Sequence, residues 1–173
     1  TNNLPGLYIH IPFCLRKCPY CHFYSVTATE WIPDYLEALS REIERIRGAW
    51  GPFDTLYLGG GTPSLLTAKQ FAFLLTTVQK RFSFLPDREL TVEVNPGDIG
   101  FLSLKELRNL GVNRLNIGVQ SFDANLLRFL GRRHSPGQAL SSIEAARRAG
   151  FENIGIDLIY GIPHQTLDDW DNS

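Results

Sequence analysis

Short apolar runs alternate with helix-type periodicities along almost the whole of this chain, and this alternation limits the fold more than any other feature. The runs at residues 7–11, 55–58, 90–94, 114–117 and 154–159 are short enough to be buried strands. Between them, apolar residues recur at steps of three and four, as on one face of an amphipathic helix. Strands that alternate with helices form parallel β–α units. The sequence therefore predicts an α/β fold with about five such units.

The predicted helices carry recognisable start signals, in which a hydroxyl residue is followed three positions later by a Gln or an acidic residue, or directly by Pro. No stretch resembles a linker or a domain boundary, so we expect one domain. The last start signal is followed by few residues, which predicts that the native protein continues past Ser173. The expected N-terminal caps are Thr67, Ser103, Ser135 and Thr166.

Each predicted strand is followed at its C-terminal end by a polar or glycine-rich cluster. In a (β/α) barrel these ends converge on one mouth, whereas an open doubly wound sheet uses mainly the loops at its switch point. A partial (β/α) barrel is therefore the preferred architecture. The clusters are the three cysteines, residues 59–63, Glu93 with Asn95, residues 120–121, and Asp157.

All three cysteines lie between residues 14 and 21. A disulfide would leave one sulfur over, whereas an iron–sulfur cluster can use all three thiolates and leave one iron without a protein ligand. The alternative is a structural zinc ion held by these cysteines and the adjacent His22. The spacing favours the cluster, because zinc ligands usually come as two separated pairs.

The formal net charge of −1 gives no general electrostatic reason to bind nucleic acid or an anionic membrane. No apolar run reaches the roughly 20 residues of a membrane span, and no signal peptide is recognisable. We therefore expect a cytoplasmic protein with reduced thiols and no nucleic-acid partner.

Two carboxylates and one basic cluster are further candidates. A Glu93 side chain in a barrel mouth needs a partner such as a ligand amine or ribose hydroxyl, unless it is an edge-strand charge in water. Asp157 lies in a nearly all-apolar strand, where an unpaired buried carboxylate is costly, so we expect it to be hydrogen-bonded. Residues 132–134 are basic and are expected on the solvated surface, although one arginine could bind a ligand carboxylate. His10 is expected to be a packed strand residue.

The glycine run at residues 59–61 either lets the backbone approach a ligand or forms a tight turn. It lacks the spacing of the dinucleotide fingerprint and the Gly-Lys-Ser/Thr of the phosphate loop.

Five motifs occur in order along nearly the whole chain. They are YIHIPFC-x3-C-x2-C at residues 8–21, GGGTP at 59–63, EVNP at 93–96, GVQSF at 118–122 and DLIYGIP at 157–163. Together they resemble the radical S-adenosylmethionine (SAM) enzymes of the oxygen-independent coproporphyrinogen III oxidase family.

The resemblance implies that Cys14, Cys18 and Cys21 bind a [4Fe–4S] cluster whose open iron chelates SAM. In the family, one electron enters through the cluster and cleaves SAM to methionine and a 5′-deoxyadenosyl radical. Matching the motifs residue by residue, the positions implied to contact SAM are Tyr8, Tyr20, Gly60, Gly61, Thr62, Glu93, Gln120, Arg132 and Asp157.

Within the family the chain looks closer to the haem-chaperone (HemW) branch than to the true coproporphyrinogen dehydrogenase. The dehydrogenase has a further Cys where this chain has Phe23. The HemW branch implies haem binding and transfer to target proteins, and leaves turnover of SAM open. The alternative is decarboxylation of coproporphyrinogen III to protoporphyrinogen IX.

The family also implies partners and further chain. The partners are SAM, haem or a porphyrinogen, and an electron donor such as flavodoxin or ferredoxin. Residues 1–173 would then be a radical SAM core, with a sixth β–α unit and a C-terminal domain lying outside them.

Overall fold

The computed structural model describes residues 4–48 and 50–171, which form alternating strands and helices. The strands are β1 (Gly6–Ile11), β2 (Phe53–Gly60), β3 (Phe84–Val94), β4 (Arg114–Gln120) and β5 (Asn153–Leu158). The helices are α1 (Ile32–Arg45), α2 (Ala68–Arg81), α3 (Phe101–Asn109), α4 (Ala124–Phe129), α5 (Pro136–Arg148) and α6 (Leu167–Asp171).

The five strands form one parallel sheet in the order β1-β2-β3-β4-β5. Parallel crossovers are right-handed, so a strand order that never reverses places the connecting helices on one face of the sheet. A doubly wound sheet reverses its order at a switch point and carries helices on both faces. The strand order thus confirms the prediction of a partial (β/α) barrel.

The hydrophobic core lies between the helices and the outer face of the sheet. Side chains alternate between the two faces of a strand, so every second residue of each strand enters this core. Leu58, Val92 and Leu115 are completely buried at paired positions of β2, β3 and β4. The helices cover them mainly with Phe71, Leu74, Val78, Leu104, Leu107, Ala139 and Ala146.

The opposite, inner face of the sheet is mostly polar. Tyr8, Tyr57, Thr91 and Arg114 stand beside one another on neighbouring strands, and Glu93 lies beside Asn116 in the next row. A central strand buried on both sides is usually apolar throughout, so polar residues on this face need hydrogen-bond partners or a ligand.

Two of the four expected helix starts are complete capping boxes. Thr67 exchanges side-chain and backbone hydrogen bonds with Gln70, and Ser135 does the same with Gln138. Reciprocal bonds of this kind satisfy donors that the first helical turn leaves free. Thr166 likewise accepts from Asp169 N–H and donates to the Asp169 carboxylate.

The cap predicted at Ser103 is wrong. Helix α3 begins earlier, with Gly100 as its N-cap, and the Leu104 N–H donates to the Gly100 carbonyl. The extra turn brings Phe101 against the core, where the Arg148 guanidinium lies 5.2 Å from its ring centroid. Tertiary packing therefore overrides the local start signal.

Among the helices of the described residues, none combines the length and apolar character needed to cross a membrane.

Candidate functional site

The cysteine loop follows β1 and is closed at its base by a short parallel bridge between Phe13 and Val26. Cys14 N–H donates to the Val26 carbonyl at 3.0 Å, and Val26 N–H donates to the Pro12 carbonyl at 2.8 Å. The half-buried His10 ring adds a hydrogen bond through Nε2 to the Tyr24 carbonyl at 2.9 Å. His10 is thus a packed strand residue that holds the far end of the loop, as expected.

The three thiols are free, half-buried and directed to different neighbours. Thr62 Oγ1 lies 3.6 Å from Cys14 Sγ, and Arg132 Nη1 lies 3.6 Å from Cys18 Sγ. Cys21 lines the largest cleft at this end of the sheet. Across residues 4–48 and 50–171, no three His, Cys, Asp or Glu side chains are grouped so as to hold one metal ion.

The cleft has a volume of about 490 Å³ and opens over the C-terminal ends of the strands and the polar inner face. Eight of the nine positions predicted to contact SAM line it, together with Cys21. The eight are Tyr20, Gly60, Gly61, Thr62, Glu93, Gln120, Arg132 and Asp157.

Tyr8 is the ninth predicted position, and it does not line this cleft. Its ring stacks on Tyr57 at a centroid distance of 5.7 Å, and Tyr57 does line the cleft. Burial, and then the charge of Glu93, raise the pKa of Tyr8. In this structure Tyr8 therefore reaches the site through Tyr57.

Each glycine of the run at residues 59–61 has an internal packing reason. A Cβ on Gly59 would lie 2.9 Å from the Glu93 carboxyl, and one on Gly61 would lie 2.6 Å from the Phe13 carbonyl oxygen. Gly60 adopts φ 112°, which L-residues rarely reach, and a Cβ there would meet the His10 ring at 2.5 Å. The glycines thus allow the start of the cysteine loop to pack closely against the end of β2. The segment is therefore neither an unconstrained turn nor only a place where a ligand approaches the backbone.

Glu93 has a hydrogen-bond donor on each carboxylate oxygen. The Tyr57 hydroxyl donates to Oε1 at 2.8 Å, and Gly60 N–H donates to Oε2 at 2.9 Å. β3 is the central strand of the sheet, so the interpretation of Glu93 as an edge-strand charge in water is wrong. The half-buried carboxylate faces the cleft in a fixed orientation.

Arg132 connects the cysteine loop to two strand ends. Nη1 donates to Cys18 Sγ and to the Tyr20 hydroxyl at 3.4 Å, while Nη2 donates to Asn95 Oδ1 at 2.8 Å and to the Gly118 carbonyl at 2.7 Å. Its buried Nε has no partner within the described residues. Burial raises the pKa of Tyr20 to about 12, although the Arg132 charge opposes that rise.

His134 of the basic cluster is built into the fold, so the expectation of a solvated surface is wrong for it, whereas Arg133 is exposed as expected. The His134 ring is buried and donates through Nε2 to the Val119 carbonyl at 2.9 Å. Arg133 forms an ion pair with the nearly buried Asp98 carboxylate. Burial, and then the Arg132 charge, lower the pKa of His134.

Asp157 is hydrogen-bonded, as expected, but it is not buried. Asn116 Nδ2 donates to Asp157 Oδ2 at 2.7 Å, and the Asp157 side chain is exposed. β5 ends the sheet within the described residues, which leaves the apolar Ile156 on its other face 41% exposed. The cost of burial expected for Asp157 therefore does not arise here.

Gln120 ends β4 with φ 70°, one of two non-glycine residues with positive φ in the described chain. The register between β4 and β5 shifts between Ile117 and Gln120, which changes the direction of the strand end. The Gln120 carbonyl accepts from Ile159 N–H at 3.0 Å. A strained residue held by its neighbours at a cleft is typical of a functional position.

The residues predicted to contact SAM did not include Tyr57 or Asn95. Asn95 bridges the site, because its Nδ2 donates to Thr62 Oγ1 at 2.8 Å while its Oδ1 accepts from Arg132. Asn95 stands in a strand-end cluster, which is a signal available from the sequence. Tyr57 alternates with the apolar Leu56 and Leu58 along β2, and this alternation was its only signal in the sequence.

The donor set fits an iron–sulfur cluster. Three free thiols lie in one loop, and hydrogen-bond donors from Thr62 and Arg132 reach two of the sulfurs. Hydrogen bonds to sulfur are among the means by which proteins tune such clusters. The neighbouring cleft is lined by Arg132 and by the oriented Glu93 carboxylate, both of which can serve a polar ligand.

Comparison with known proteins agrees with this geometry. The chain is 44% identical over 167 residues to the haem chaperone HemW of Lactococcus lactis, covering 93% of this chain and 42% of that protein. It is 39% identical over 168 residues to HemW of Escherichia coli, covering 95% and 44%. The chain thus spans less than half the length of these curated relatives.

A solved structure of similar fold is coproporphyrinogen III oxidase (HemN) from E. coli, described as a radical SAM enzyme. It superposes with a TM-score of 0.87 at 35% identity, covering 96% of this chain and 39% of that one. A second is methylornithine synthase (PylB), with a TM-score of 0.63 at 16% identity, which shows the fold alone.

The family profile described as the radical SAM superfamily matches residues 8–173, which is nearly the entire chain. Such a family implies a [4Fe–4S] cluster and SAM as cofactors. This chain belongs to the radical SAM superfamily.

Proposed function

We propose that this chain is the cluster- and SAM-binding core of a haem chaperone of the HemW type. Such a chaperone would bind haem and transfer it to target proteins. Cys21 and the Glu93 carboxylate line the same cleft, and that observation carries the proposal. The likeness to HemW proteins from several bacteria supports the chaperone branch.

In this proposal Cys14, Cys18 and Cys21 hold the cluster, and the eight lining positions hold SAM, with Tyr8 supporting them through Tyr57. When bound, the cluster supplies the single electron for reductive cleavage of SAM. In this proposal the protein binds and orients SAM through Glu93 and Arg132. The family resemblance implies a flavodoxin or ferredoxin as the electron donor, in a cytoplasm where thiols stay reduced.

The first experiment tests the cofactors. Anaerobic reconstitution of the wild type should yield about four irons per chain and a reducible cluster spectrum. Cys18→Ala should lose that spectrum, while Ser25→Ala, in the same loop but without a thiol, should keep it. Zinc in place of iron, or an unchanged spectrum in Cys18→Ala, would reject the cluster.

The second experiment tests SAM binding by equilibrium dialysis of the reconstituted protein. Glu93→Gln should weaken SAM binding by about tenfold, because hydrogen bonds to a charged group are stronger than those to its neutral isostere. Glu89→Gln is the matched control, since Glu89 lies on the same strand and contacts Thr91 and Arg114 away from the cleft. Equal affinity in both variants would remove Glu93 from the site.

The alternative function is oxidative decarboxylation of coproporphyrinogen, and the close superposition on HemN favours it. Phe23 argues against it, because the dehydrogenase carries a Cys at that position. The protein as encoded by its natural gene should bind haem stoichiometrically and leave coproporphyrinogen III unchanged under anaerobic, reducing conditions with SAM. Turnover to protoporphyrinogen IX would establish the alternative.

A further inference from the structure

Tyr57 lies on the inner face of β2, beside Glu93 of β3. Its hydroxyl donates to Glu93 Oε1 at 2.8 Å, while Gly60 N–H donates to Oε2 at 2.9 Å. An ionised carboxylate has about four lone-pair directions. One internal donor on each oxygen therefore fixes the plane of the group and leaves the other direction of each oxygen for a ligand in the cleft.

The Tyr57 ring is itself held in place from two sides. Tyr8, its partner in the β1–β2 register, stacks on it with an angle of 19° between the ring planes. On the other side, a Cβ at Gly59 would lie 2.7 Å from a Tyr57 ring carbon and 2.9 Å from the Glu93 carboxyl carbon. Only glycine at this position lets the tyrosine and the carboxylate meet.

The hydroxyl is a permanent donor at ordinary pH. Burial, and then the hydrogen bond and charge of Glu93, raise the pKa of Tyr57. A neutral tyrosine hydroxyl that faces a carboxylate donates its proton to that carboxylate. Tyr57 is therefore always the donor in this hydrogen bond, and the direction of the bond does not reverse as the solution pH changes around neutrality.

We propose that Tyr57 is a positioning residue that orients the Glu93 carboxylate toward hydrogen-bond donors of the bound ligand. The groups that such a carboxylate recognises are an ammonium or a pair of ribose hydroxyls, both of which SAM carries. This inference rests on the proposed SAM-binding function. It adds a residue outside the positions assigned to SAM and gives the stacked Tyr8 a defined role as a support of Tyr57.

The test is a double-mutant cycle on SAM affinity, measured by equilibrium dialysis of the reconstituted protein. Tyr57→Phe removes only the hydroxyl and should weaken SAM binding by about tenfold. In the Glu93→Gln background the same change should have almost no further effect, because Tyr57 acts through the carboxylate. Tyr35→Phe is the control, since Tyr35 also donates to a protein acceptor, the His10 carbonyl, but lies outside the cleft.

A second readout needs neither cluster nor SAM. In the apoprotein with ¹³Cζ-labelled tyrosine, the Tyr57 resonance should titrate above the ordinary tyrosine pKa of 10. Glu93→Gln should lower the pKa of Tyr57 toward that value, because it removes the negative charge beside the phenol. An unchanged titration in Glu93→Gln would show that the two groups do not interact.

The outcomes separate the two proposals. A reconstituted wild type that does not bind SAM defeats the proposed function, whatever the NMR titration shows. A wild type that binds SAM, with Tyr57→Phe equal to it in affinity, defeats the positioning role alone. The positioning role is also wrong if Tyr57→Phe costs the same factor with and without Glu93.

Discussion

Arg132 Nη1 lies 3.6 Å from Cys18 Sγ, although the two residues are 114 positions apart in the chain. The same guanidinium reaches Asn95 and Gly118 at the ends of two strands. One side chain therefore ties the cysteine loop to the sheet. Two further attachments, the Phe13–Val26 bridge and the hydrogen bond from His10 to the Tyr24 carbonyl, lie nearer the ends of the loop, so Arg132 restrains the segment around Cys18.

We expect Arg132→Ala to loosen the cysteine loop in the apoprotein. The substitution leaves the acceptors of Asn95 and Gly118 without their donor, at a cost on the order of 1–3 kcal/mol in the free energy of unfolding. Alkylation of Cys18 by iodoacetamide, followed by peptide mass spectrometry, should be several-fold faster than in the wild type.

Arg128→Ala is the matched control for this prediction. Arg128 is exposed on α4, and its guanidinium donates to the Asn125 side chain. Cys18 in the Arg128→Ala variant should be alkylated at the wild-type rate. If Arg132→Ala also does so, Arg132 does not restrain the loop.

We expect Gly61→Ala to destabilise the fold by about 1–3 kcal/mol, as overpacking does. The new methyl would lie 2.6 Å from the Phe13 carbonyl oxygen and 2.9 Å from that of Ile11, and these are backbone atoms that cannot turn aside. Urea unfolding monitored by circular dichroism measures the change in the free energy of unfolding.

Gly137→Ala controls for the general effect of replacing glycine. Its nearest neighbour would be Ser135 Oγ at 3.9 Å, and α5 gains a better helix former. The free energy of unfolding should stay the same or rise by up to about 1 kcal/mol. Equal losses in both variants would contradict the packing argument at Gly61.

We expect His134 to make stability depend on pH in the mildly acidic range. Burial, and then the charge of Arg132, lower the pKa of His134 in the folded protein below 6.5, while the unfolded chain keeps a value of about 6.5. Between the two values the unfolded state binds more protons, so stability rises with pH. The contribution of neutral His134 is complete above about pH 6.5 and is lost as the pH falls through the folded pKa.

The measurement compares the free energy of unfolding at pH 7 and pH 5 in the wild type and in His134→Gln. Glutamine stays neutral and can still donate to the Val119 carbonyl, which His134 reaches at 2.9 Å. The variant should lose less stability between the two pH values. Identical losses in the two proteins would show that His134 does not cause the pH dependence.

Much of the fold could be read from the sequence because the signals are local. The parallel β–α units follow from alternation, and the capping boxes at Thr67 and Ser135 each depend on residues three positions apart. Ser103 carried the same kind of signal and was overridden when Phe101 packed against the core. Local signals therefore hold where tertiary contacts do not compete with them.

The site could be read only in part. The motifs predicted eight residues that now line one cleft, because residues at the C-terminal ends of parallel strands meet at the same edge of the sheet. The burial assumed for Asp157 and the exposure expected for His134 were both wrong. Burial depends on what lies next to a residue in space, and β5 ends the sheet while His134 reaches back to Val119.

By itself the sequence determined the parallel β–α architecture, the grouping of all three thiols in one loop, and the strand ends at which a ligand would lie. Only the tertiary structure decided that Arg132 meets Cys18, that Tyr57 meets Glu93, and that Tyr8 stacks on Tyr57. The physical reason is that propensity and periodicity act over a few residues. Hydrogen bonds between side chains 36 and 114 positions apart depend on how the sheet brings separate strand ends together.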